Sequence, residues 1–219
     1  MSKRAGNVTM IGGADGPTSI FIAQKGGKVK LRTRMANYFR KRKRDRIKGR
    51  ITANPHTLDE VVEMMKREYG ALELSQRSVH YQEQRSSLKA SLVMRHRPDL
   101  LGELMDLKPP KGAYSENMEA WKTFWDKLKE REKRANEIAD DVFPIDFHMY
   151  EIRCAENGRL QVGVEMVWQT LDGSFSGNKK SMKQLRKLMK RIYLYYGVTA
   201  EDIKKETERY TSLLAMLSL

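Results

Sequence analysis

No protein interior accommodates the run Arg40-Lys41-Arg42-Lys43-Arg44, which continues in Arg46, Lys48 and Arg50. At this spacing the charges repel one another and need water or an acidic partner beside them. The core must therefore come from other parts of the chain. Residues 1–50 hold 15 Lys and Arg against Asp15 and Asp45, whereas residues 51–219 hold 27 basic and 26 acidic residues. Almost all of the net +14 thus belongs to one arm. The remaining length suffices for one domain or two small ones, and 40% apolar residues overall is too many for a disordered chain.

The apolar patterning divides the chain into three expected regions: a basic segment at 1–50, a helical region at 51–107, and a helix, hairpin and two closing helices at 113–219. Lys108-Pro109-Pro110-Lys111-Gly112 is the clearest linker. Within the first region, Val8–Ile11 is a short β-prone run that stops at Gly12-Gly13. Two readings compete for residues 14–27. Asp15-Gly16 turns a hairpin into a strand over 18–24, or Pro17 opens a short helix closed by Gly26-Gly27. The β-branched residues favour the strand, and 28–32 alternates as a further strand would. Residues 33–48 fit a helix with Met35, Phe39 and Ile47 as a thin stripe.

Thr57-Leu58-Asp59-Glu60 is a capping box, opening a helix with Leu58, Val61, Val62, Met65 and Tyr69 on one face. Residues 72–95 read as one polar helix anchored by Leu72, Val79, Leu88, Leu92 and Val93, and Pro98 begins a short helix to about Met105. A helix is expected over 116–139. Phe147–Arg153 and Leu160–Trp168 alternate as strands around Asn157-Gly158, a pair whose tolerance of positive φ marks a hairpin. Residues 180–196 form a basic amphipathic helix, and Thr199 with Asp202 caps a last helix ending at Leu213–Leu217. The fold class is α+β and mostly helical, with a short N-terminal β element and a C-terminal hairpin followed by two helices.

Two sets of residues stand out as binding candidates. The first is basic: Arg40, Lys41, Arg42, Lys43, Arg44, Arg46 and Lys48 on the arm, with Lys183, Lys187, Lys190 and Arg191 as a second patch. Nucleic-acid phosphate is the commonest partner for such a set, alone or in a ribonucleoprotein, because contact releases condensed counterions. An acidic protein or an anionic membrane surface comes next. Aromatic groups accompany the charge. Trp121 and Trp125, four residues apart, fit either base stacking or a packed helix stripe. Tyr193, Tyr195 and Tyr196 beside Lys190 and Arg191 fit either RNA contact or a packed Tyr196 with the others on the surface.

The second set is Gly12, Gly13, Asp15, Gly16 and Thr18, a glycine-rich loop able to approach a small ligand or ion closely, or simply to turn. It is not a nucleotide-binding P-loop, being one residue short and carrying Pro17 where the lysine belongs. The string Met10-Ile11-Gly12-Gly13-Ala14-Asp15-Gly16-Pro17-Thr18-Ser19-Ile20-Phe21 resembles a segment of the β subunit of sodium-translocating decarboxylases, membrane pumps acting on oxaloacetate and related acids. In that family the segment lies within the membrane. Its aspartate, matched here by Asp15, is thought to couple sodium to decarboxylation. The resemblance spans about a twentieth of the chain. The family's many membrane helices have no counterpart, since no run approaches the ~18 apolar residues a span needs. The chain is more similar to soluble bacterial proteins carrying only this string. What the resemblance implies is an accessory binding sodium or a dicarboxylate at the loop, not a pump.

Catalytic groups are sparse. His56, His80, His96 and His148 lie far apart, and the single Cys154 can form neither an internal disulfide nor a cysteine zinc site. His148 sits in a strand pattern as a satisfied or solvent-facing residue. The carboxylate pairs Asp140-Asp141 and Glu201-Asp202 fit helix ends. No cofactor or metal is called for. The opening residues do not read as a secretory signal, and one cysteine fits a reducing cytoplasm. The expected function is non-enzymatic binding of nucleic acid through residues 28–50. The ligand-binding accessory and a protein–protein adaptor are the alternatives.

Overall fold

The structure, a computed structural model, describes residues 31–111, 117–154 and 157–218. The loop at Gly12–Thr18 and the expected N-terminal β element lie outside these residues. The fold is α+β and mostly helical, with a small sheet whose three longer strands lie in the C-terminal half and are followed by helices. In chain order, the elements are α1 (Leu31–Lys48), α2 (Leu58–Tyr69), β1 (Leu72–Glu73), α3 (Val79–His96), a 3-10 segment (Pro98–Leu104), α4 (Met118–Glu137), β2 (Phe147–Cys154), β3 (Gly158–Glu165), β4 (Thr170–Ser176), α5 (Lys179–Tyr196), α6 (Ala200–Lys205) and α7 (Glu208–Ser218).

The sheet is antiparallel throughout, in the order β1-β2-β3-β4. Alternation along the strands gives it two apolar faces. Tyr150, Ile152, Leu160, Val162, Val164 and Leu171 join Leu58, Val61 and Met65 of α2 with Leu185, Met189 and Ile192 of α5 in the main core. Phe147 and Met149 point the other way, against Tyr81 of α3. Beyond them, α3, the 3-10 segment and α4 build a second core around Leu92, Leu101, Ala135 and Phe143. Segments before and after the 108–112 linker therefore share one sheet, because β1 pairs with β2.

The hairpin forms where Asn157-Gly158 marks it, but the two residues have different tasks. Asn157 alone takes positive φ, at 61°. Gly158 starts β3, where a Cβ would lie 2.7 Å from that of Ser181 and block the approach of α5. Both capping boxes also form: Thr57 with Glu60, and Thr199 with Asp202.

Several expectations need correction. Leu31 and Arg32 begin a helix rather than ending a strand. The helix expected from residue 72 starts at Val79. Leu72 pairs in β1 instead, and both residues are exposed. The closing helix is split, because Glu206 adopts the left-handed conformation and Thr207 Oγ1 donates to Asp202 Oδ1 at 2.6 Å, ending α6 before α7 starts. The third hairpin strand, β4, has no counterpart in the sequence reading. Tyr193 and Tyr196 of α5 donate their hydroxyls to the carbonyl of Leu171 in β4 and that of Gln169 just before it, at 2.5 and 2.8 Å.

Candidate nucleic-acid interface

α1 and α5 are each 18 residues long, about 27 Å at 1.5 Å per residue. α5 carries seven Lys and Arg and no acid, while Asp45 is the single acid in α1. Their attachment differs. α5 starts at Asn178, whose side chain accepts from the amides of Lys180 and Ser181, both at 2.9 Å. It then buries Leu185, Leu188, Met189, Ile192, Tyr193 and Tyr196. This leaves Lys183, Arg186, Lys187 and Arg191 exposed on its outer side. In α1, only Ile47 of the expected stripe packs on the core; Met35 and Phe39 are 53% and 58% exposed.

What brings the two helices together is the end of α7. Lys43 donates to the carbonyl of Ser218 at 2.8 Å, and Lys190 reaches that of Leu217 at 3.4 Å. The last carbonyls of a helix lack partners and carry the negative end of its dipole, so two ammonium groups are well placed there. Burial, followed by repulsion from Lys43 and Arg186, lowers the pKa of Lys190. Lys48 closes the far end of α1 with an ion pair to Glu206 at 2.6 Å.

The sequence candidates therefore sort into two groups. Lys43, Lys48 and Lys190 hold elements of the fold together. Lys41, Arg42, Arg44, Arg46, Lys183, Lys187 and Arg191 are exposed, and among the described residues none of them pairs with a carboxylate. Arg186, equally exposed and acting electrostatically on Lys190, belongs with them. Its place between Lys183 and Lys187 on a helix of this period was the available signal. Arg40 lies within α1. Beside the basic run, Tyr38 and Phe39 expose 60% and 58% of their surfaces, their rings meeting edge-on at 5.8 Å.

The other aromatic candidates fall mostly inside. Trp121 is buried and Trp125 is 38% exposed, so the pair does not form one open stacking face. Tyr193 and Tyr196 are buried, while Tyr195 is half-buried and stacks on His56 at 4.0 Å.

The histidines are engaged locally. His56 Nδ1 lies 2.6 Å from the Tyr195 carbonyl, His80 bonds Gln161 and His96 stacks on Trp168. His148 bridges Glu73 at 2.8 Å and Asp146 at 3.0 Å. Burial lowers its pKa, but the two carboxylates outweigh that effect and the net shift is upward. Asp140 holds Arg85 and Lys89 at 2.6 and 2.7 Å, and the Lys89 ammonium leads in keeping its pKa low. Among the described residues, no group of His, Cys, Asp and Glu is arranged to hold a metal, and no helix is long and apolar enough to cross a membrane.

No protein-family model, curated protein or solved structure matches the chain.

Proposed function

We propose that this protein binds nucleic acid through a composite face made by α1 and α5. The observation that carries the reading is the joint grip of Lys43 and Lys190 on the last carbonyls of α7, which turns two basic segments far apart in sequence into neighbours. Phosphate suits such a face, since exposed guanidinium and ammonium groups without protein carboxylates are free to replace condensed counterions. Contact of this kind positions a strand without reading its sequence. Tyr38 and Phe39 add stacking surface, which favours single strands over duplex.

The test is fluorescence anisotropy with labelled single-stranded RNA and duplex DNA across a salt series. If the eight exposed basic residues each meet one phosphate, log Kd changes with log salt by a slope of about 6 for single strands. Two triple variants divide the face: R42Q/R44Q/R46Q on α1 and K183Q/K187Q/R191Q on α5. Each should weaken binding and reduce the slope by about 2. Binding that depends on only one set would break the composite reading. Equal affinity for a polyglutamate peptide would reassign the face to an acidic protein.

A further inference from the structure

A cavity of about 400 Å³ lies beside the outer edge of β4, between the end of α3 and the start of α7. Its apolar walls come from Leu88, Trp168 and Leu171, and its polar groups include Thr170, Asp172 and Ser212. That mixture, mostly apolar with a few convergent polar groups, is typical of small-molecule sites.

Asp172 is the unusual member. It stands opposite Gly163 in the sheet, and the nearby Gly163 amide favours its ionised form slightly. A Cβ at position 163 would overlap this carboxylate, so the glycine makes room for it. Burial raises the carboxyl pKa to about 6, and no basic side chain counteracts that effect. Asp172 is half-buried as a residue and lines the cavity.

Every other charged group around the cavity is already committed. From α7, Glu208 pairs with Arg95 of α3, and Arg209 donates to the carbonyls of Gly197, His56 and Tyr196. Asp202 of α6 accepts from Thr199 and Thr207. His96 of α3 has its pKa lowered by burial and then by Arg95, which keeps the ring neutral near pH 7. Tyr193 and Tyr196 of α5 have raised pKa values and donate to the carbonyls of Leu171 and Gln169. Asp172 thus lines a half-apolar cavity with no basic side chain paired to it.

We infer that this cavity binds a small organic cation, with the Asp172 carboxylate as its counter-ion and the walls of Leu88, Trp168 and Leu171 covering its apolar part. An amidinium or a primary ammonium fits: both are permanent donors near neutral pH, and a carboxylate beside apolar surface discriminates them strongly from neutral analogues. The site is separate from the basic face, whose exposed residues do not line it.

The experiment is a backbone amide NMR titration of the full chain with benzamidine and with benzamide, its neutral counterpart of the same shape. Benzamidine should give saturable shifts at residues 170–173 and 207–212, with affinity at least tenfold above that of benzamide. This preference should disappear in Asp172→Asn, which keeps the shape of the side chain and removes its charge. Below pH 6, as Asp172 takes up a proton, benzamidine affinity should fall in the parent protein and not in the variant. Ser212→Leu fills the cavity without touching the carboxylate and should weaken both probes. The inference is overturned if benzamidine gives no saturable shifts, or if Asp172→Asn binds benzamidine as tightly as the parent with an unchanged fold.

Discussion

α1 and α5 have the same length and nearly the same charge, yet one is a pillar of the core and the other an attachment. α5 carries its charge on the back of an apolar face that fills the space above the sheet. Among its described side chains, α1 gives the core Ile47 and holds the rest of the fold through Lys43 and Lys48. The contrast teaches that positive charge on a helix says nothing about how the helix is retained. Hydrophobic burial retains α5 at any ionic strength. The polar contacts of α1 weaken with salt, as exposed pairs do.

The largest expected effect breaks the pillar. Leu185→Ala removes a side chain with no exposed surface and should destabilise the protein by about 3–4 kcal/mol, measured by urea denaturation. Next comes a change that strengthens the sheet under α5. Asp172 has a raised folded pKa, so its ionised form opposes folding above about pH 6, and the penalty vanishes below its unfolded pKa. Asp172→Asn should therefore be more stable than the parent at pH 8 by about 1–2 kcal/mol, the cavity surface reducing the full value of the shift. The advantage should shrink to nothing as pH falls towards 4, in denaturation midpoints followed across that range. Stabilisation that persists unchanged at pH 4 would count against a buried charge.

Ile47→Ala sharpens the contrast. Its cost to global stability should be about 1 kcal/mol or less, since Ile47 is half-buried, but α1 should lose its hydrogen-exchange protection while α5 keeps it. Raising salt from 0.05 to 0.5 M should have the same selective effect on α1. The smallest effect is expected at the meeting point of the helices. The folded pKa of Lys190 is depressed, so its charged form mildly opposes folding at pH 7, and that penalty falls as pH rises through the folded value and is gone above the unfolded one. Lys190→Met should change stability by no more than a few tenths of a kcal/mol at pH 7, read from the urea midpoint, because relief of burial and repulsion offsets the lost contact with Leu217.

Elements specified by neighbouring residues were legible in the sequence. Thr57 with Glu60, Thr199 with Asp202, and Asn157 before Gly158 each act within three residues, and each produces the local structure that its chemistry implies. β4 was not legible because Thr-Leu-Asp-Gly-Ser-Phe-Ser is polar and glycine-broken, and it becomes a strand by pairing with β3. Leu72 looked like a helix anchor because period alone cannot tell an exposed leucine from a packed one. The basic candidates were legible as two sets, but not their union. That depends on Lys43 reaching Ser218, a contact spanning 175 positions. The cavity is further still from view, since its walls run from Leu88 to Ser212 and its counter-ion site is defined by which charges are occupied elsewhere.

The hydroxyls of Tyr193 and Tyr196 have a consequence for how these molecules behave in a crowd. A terminal strand normally presents an unfinished ladder that a second chain can continue. At β4, the carbonyl of Leu171 and that of Gln169 just before the strand already accept from hydroxyls of α5, so neither is free for an added strand unless those bonds break. The same two aromatic rings that complete the core therefore also occupy backbone acceptors that would otherwise be open to a second chain at the start of β4.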